Sequence, residues 1–143
     1  MSLEELKFPL ELSVKSSTDN LSIIRDFIKN TALSLGYSNA IIGNIILAVD
    51  EACTNIIKHA YKYSPSGDIQ IELNRIANKF IITILDNGIE FDPNLIPEPD
   101  IKEYYKQRRI GGLGMYLMKK MMDEVVYSKY KNKNQVKMVK YLP

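Results

Sequence analysis

Glu51 and Asn55 lie four residues apart in "DEACTNIIKHAY" (50–61), inside an apolar-striped stretch. On a helix that spacing stacks them on one face. A carboxylate there can accept a proton or orient a nucleophile. An amide oxygen one turn on can ligate a hard cation such as Mg²⁺. The same pair is also an ordinary polar helix edge. A second group closes the apolar run "KFIITILD", where Asp86 is followed two residues later by Gly88. A carboxylate on a strand end can accept a hydrogen bond from an exocyclic amine such as adenine's, and glycine leaves backbone free to approach a ligand. Asp-Asn-Gly is equally a plain turn. A third group is "RRIGGLGMYLMKK" (108–120), with Gly111, Gly112 and Gly114 ahead of a helical pattern. Such a helix start offers unpaired N–H groups to phosphate. Arg108 and Arg109 add charge for a terminal phosphate. The alternative is a flexible linker into a core helix. The spacing is neither a P-loop nor a dinucleotide fingerprint.

These groups need a frame. Phe8, Leu10, Leu12 and Val14 alternate as in a half-buried strand. Thr18 or Asp19 can cap a helix reaching Leu35, with Leu21, Ile24, Phe27, Ile28 and Leu35 inward and Gly36 as its stop. Ser38 can cap a second helix, 39–61, whose buried stripe is Ile42, Ile45, Ile46, Val49, Ala52, Cys53, Ile56 and Ala60. Strands follow at 68–76 and 79–86, joined near Ala77–Asn78. Residues 87–110 have no period and read as a long loop, which in a compact domain signals function or motion. A helix from about 111, with Met115, Leu117, Met118 and Met121 inward, leads to closing strands at 124–130 and 136–142. Strand pairs joined by short turns predict a mostly antiparallel sheet with helices on one face, a two-layer α/β sandwich of the α+β class.

The chain has 143 residues, 45% apolar and 25% charged, which predicts one globular domain over 1–143. No uninterrupted apolar run approaches the ~18 residues of a membrane span, and the acidic N-terminus does not resemble a signal peptide. A single cysteine, Cys53, is consistent with a cytoplasmic protein. Residues 102–143 hold 11 basic and 3 acidic side chains. That excess suits an anionic partner, but no recognition helix or aromatic RNA-binding motif accompanies it, so neither nucleic acid nor membrane is expected as a partner. Lys129, Lys131 and Lys133 read as a solvated hairpin tip. The only histidine, His59, excludes a His-rich zinc site and is expected to pack or cap a helix end. Cys53 is expected in the core. Asp50 is expected to support the site.

Taken in order, the E-x-x-x-N helix, the D-x-G strand end, the long loop and the G-G-L-G helix start resemble the Bergerat ATP-binding fold of the GHKL superfamily over nearly the whole chain. Within it, "DEACTNIIKHAY", "DNGIEFDP" and "GGLGMYLMKKMMDEVVY" look most like the RsbW-type serine/threonine-protein kinases that act as anti-sigma factors. The resemblance implies ATP and Mg²⁺ as cofactors. It casts Glu51 as general base for a protein hydroxyl and Asn55 as the Mg²⁺ ligand. Asp86 becomes the adenine acceptor, with Gly88 permitting close approach. Gly111, Gly112, Leu113 and Gly114, with Arg108 or Arg109, fall to the phosphates, and the lid to about 92–110. The implied partners are a sigma factor and a small antagonist phosphorylated on Ser or Thr, with a homodimer possible. Glu90 stands where the wider superfamily often has a second glycine, and Ile110 separates Arg109 from Gly111. These departures keep open a non-catalytic, ATP-responsive switch that binds partners without transferring phosphate.

Overall fold

The computed structural model describes residues 6–91 and 114–143. Arg108, Arg109, Gly111, Gly112, Leu113 and the expected lid lie outside the described residues. The elements are β1 (Leu10–Lys15), α1 (Leu21–Ser34), α2 (Asn39–Asn55), β2 (Asp68–Ile76), β3 (Lys79–Asp86), α3 (Gly114–Met121), β4 (Glu124–Tyr130) and β5 (Lys133–Tyr141). The described strands form one five-stranded sheet in the order β1-β2-β3-β5-β4, and every pairing is antiparallel. The expected two-layer α+β architecture is therefore present.

Period-2 apolar patterning does this work. Ile69, Ile71 and Leu73 of β2, Phe80, Ile82 and Ile84 of β3, and Val136 and Met138 of β5 point to one face and are buried. They join Ile24 and Ile28 of α1, Ile45 and Val49 of α2, and Met118 of α3 in a single core. Each such side chain contributes about 1.5–3 kcal/mol on leaving water. Both α1 and α3 pack on α2, which makes α2 the central helix. Gly36 ends α1 as expected, at φ 91°, while Tyr37 N–H returns to the Ala32 carbonyl.

Two local readings change. The capping residue is Ser17, whose hydroxyl accepts the Asp19 N–H, and it opens a 3₁₀ turn at Thr18–Asn20 rather than α1 itself. The second helix keeps its α form only to Asn55, then widens into a π-helical turn over Ile56–Ala60. Apolar spacing cannot separate these, because both put Ile56 and Ala60 inward. Asn39–Ala60 also forms one 22-residue stretch apolar enough by composition to cross a membrane. Its buried stripe instead sits in the protein core, and Asp50 and Glu51 interrupt it.

Candidate nucleotide site

A cleft of about 280 Å³ opens between the end of α2, the end of β3 and the β4–β5 hairpin. That is close to the lower bound of ~300 Å³ for small-molecule pockets. Ala52, Asn55 and Ile56 form its helical wall, and Asp86, Glu90 and Phe91 come from the strand end and the chain beyond it. Asn55 and Asp86, 31 positions apart in sequence, are thus brought to one cavity.

Asp86 is only 4% exposed. Its Oδ1 accepts the Gly88 N–H at 2.9 Å and the Asn134 side-chain amide at 2.9 Å. The same Asn134 nitrogen donates to the Gly88 carbonyl at 3.0 Å. Burial raises the Asp86 carboxyl above its ordinary range, while those two hydrogen bonds and the charge of Lys129 pull it back down. Burial prevails, so the carboxyl stays above its ordinary range, with both donors resting on Oδ1. An ionised carboxylate is an acceptor only, so it suits an amine from a ligand.

Gly88 has a packing reason of its own, beside the expected approach to a ligand. A Cβ there would stand 2.6 Å from both the Cβ and the carbonyl oxygen of Ala60. Ile89 N–H donates to that carbonyl at 2.8 Å. The close approach is to the end of the π turn, which docks the strand-end loop on the helix. Tyr61 completes the joint: its hydroxyl donates to the Asp68 carbonyl at 2.6 Å and accepts the Asn87 N–H at 2.8 Å. A π turn is frequently a functional feature, and here it directly follows Asn55.

Glu51 is half-buried one helical turn before Asn55 and does not line the cleft among the described residues. Burial, then the charge of neighbouring Asp50, raises its carboxyl above the ordinary range, a property suited to a base. Asp50 itself faces α1: Arg25 grips it with two hydrogen bonds of 2.9 Å. Its support is therefore a clamp between helices together with an electrostatic push on Glu51. His59 packs its ring on Phe91 at 5.4 Å, the expected helix-end role. Cys53 is buried, also as expected.

Lys129 was expected to be plain hairpin surface. It is exposed on the hairpin as expected, and it also lines the cleft and pairs with Glu90 at 3.1 Å. Sequence reasoning also passed over Asn134 and Tyr127, because the polar 127–135 stretch looks like a solvated tip. The missed signal was register: β5 runs beside β3, so Asn134 lies opposite Asp86. Gly114 begins α3.

Residues 14–140 match the family model described as the histidine kinase-like ATPase domain. The chain is 32% identical over 138 residues to the serine-protein kinase RsbW of Bacillus subtilis (strain 168), covering 93% of this chain and 85% of that protein. It is 32% identical over 141 residues to serine-protein kinase RsbW of Listeria monocytogenes serovar 1/2a, covering 89% and 90%. Among solved structures, the RsbU and RsbW domains of Rv1364c from Mycobacterium tuberculosis align with a TM-score of 0.66 at 14% identity. That alignment takes in 95% of this chain and 32% of the other, and it speaks for the fold alone.

Proposed function

We infer the reaction from the premise that this chain belongs to the histidine kinase-like ATPase domain family, as a protein kinase of the RsbW type that uses ATP. We propose that residues 1–143 act as one domain that transfers the terminal phosphate of ATP to a Ser or Thr of a small antagonist protein. The same domain would bind and inhibit a sigma factor in the cytoplasm. The observation that carries the reading is the buried, donor-held Asp86 carboxylate sharing a cleft with Asn55 of the central helix.

In this reading Asp86 accepts the exocyclic amine of adenine, and Glu51, with its raised pKa, takes the proton from the attacking hydroxyl. Phosphoryl transfer depends on positioning and charge neutralisation more than on covalent chemistry. Among the described residues no group of three His, Cys, Asp or Glu side chains could cage a metal. Mg²⁺ does not need one, since it binds one or two protein oxygens plus water and substrate phosphates. The Asn55 side-chain oxygen fits as such a ligand. Gly111, Gly112, Leu113 and Gly114 would meet the phosphates, with Arg108 or Arg109 at the terminal one and 92–110 as the lid.

A second reading has its own support. Glu90 lines the cleft, and an acidic side chain there opposes phosphate. On that view the chain is an ATP-responsive switch that binds its partner without modifying it. Mixing the purified protein with γ-labelled ATP, Mg²⁺ and lysate from its own source separates the two. One small protein labelled on Ser or Thr, absent with Glu51→Gln or with chelator, supports the kinase. ATP binding without label, in lysate containing the unmodified partner, favours the switch.

A further inference from the structure

We propose that Asn134 is the positioning residue that aims Asp86 and so sets the preference for adenine over guanine. This rests on the reading of Asp86 as acceptor for the exocyclic amine. A carboxylate at the end of a strand is not fixed by its backbone: rotation about its terminal torsion is broad and roughly two-fold. Here the rotation is stopped by a closed triangle. Gly88 N–H and the Asn134 amide both land on Oδ1, at 2.9 Å each. Asn134 in turn is anchored at 3.0 Å to the carbonyl of Gly88.

Both neighbours of that amide are acceptors, so its nitrogen must face them, and a primary amide has the two N–H groups the triangle needs. Antiparallel register places Asn134 across from Asp86, so the strand ladder itself fixes the donor. With Oδ1 occupied by two donors, Oδ2 is the oxygen presented to a ligand in the cleft that both residues line. An ionised acceptor in a fixed plane favours the 6-amino group of adenine and opposes the 6-oxo group of guanine. A carboxylate free to turn would lose that discrimination.

The test is a double-mutant cycle in the whole chain, reading dissociation constants for ATP and for GTP with Asn134→Ala, Asp86→Asn and the double variant. A residue acting through Asp86 predicts that Asn134→Ala weakens ATP about ten-fold. It would leave GTP unchanged, so the ATP/GTP ratio falls by the same factor. In the Asp86→Asn background Asn134→Ala should then cost nothing further. The ratio does not depend on the fraction folded, so partial unfolding cannot mimic this result. Equal losses for both nucleotides, additive losses in the double variant, or no effect of Asn134→Ala where Asp86→Asn weakens ATP would each overturn the proposal. If Asp86→Asn itself left ATP affinity intact, the adenine reading would fall first, and this inference with it.

Discussion

Replacing Gly88 with alanine asks whether this glycine serves the fold or a ligand. The new Cβ would stand 2.6 Å from the Cβ and the carbonyl oxygen of Ala60, and 2.7 Å from its carbonyl carbon. Two of those three atoms are backbone, at the end of a π turn whose Ile56, Ile57 and Ala60 are buried. The turn cannot retreat without disturbing the core. Overpacking of this kind costs about 1–3 kcal/mol. Forcing the loop outward instead breaks the 2.8 Å bond from Ile89 N–H to Ala60, worth about 1 kcal/mol net. Either route gives a loss of about 1–3 kcal/mol, which corresponds to a melting point lower by roughly 3–12 °C in a domain of this size. The measurement is thermal unfolding without nucleotide. Adding Ala60→Gly should restore little, because the backbone atoms stay in place. Stability within about 0.5 kcal/mol of the parent, the range of neutral surface changes, would refute the packing account. A loss confined to ATP affinity would return the glycine to its expected ligand role.

Other perturbations have equally definite outcomes. Burial holds the folded-state pKa of Asp86 above its unfolded value, so its stabilising contribution is full below the unfolded pKa and is lost as pH rises through the folded one. Asp86→Asn keeps an oxygen for both donors, so it should melt above the parent at pH 7 and lose ATP affinity, with the melting gap closing in acid. Equal melting at pH 7 would contradict this. Glu51 works as a base only when ionised, so phosphotransfer should fail on acidification at a higher pH than an ordinary glutamate would set. Asp50→Asn should move that acidic limb down, and a pH–rate profile that stays put would exclude the assigned coupling. The Arg25–Asp50 pair is partly exposed, 44% and 27%. Arg25→Ala should therefore cost less than about 1 kcal/mol in urea melts, and less again in high salt.

The sheet and its helices were legible because burial imposes period. β2 and β3 have the bounds their alternating and continuous apolar runs predict, and Gly36 stops α1 where its missing Cβ allows. Asn55 and Asp86, which line one cleft, stood out in the sequence because each punctuates an apolar element with a polar group. The rest of the cleft was not legible for two physical reasons. Its far wall comes from a hairpin whose polar residues look solvated, and only strand order brings Asn134 and Lys129 to Asp86. The reason for Gly88 was likewise hidden, since a glycine that admits another backbone has the same sequence signature as one that admits a ligand.

The π turn after Asn55 has a consequence for how this chain tolerates change. A π turn is an α-helix carrying one extra residue, and each helical residue accounts for about 100° of rotation. Deleting a single residue within 56–60 would yield a more regular helix, better by every local measure. It would also swing Tyr61 about a quarter-turn away from the Asp68 carbonyl and the Asn87 N–H that it now joins. The helix would heal and the hinge-pin between helix and strand would be gone, leaving Asp86 on a strand end no longer moored to the element that carries Asn55. Irregularity at this one point keeps the two halves of the cleft in step.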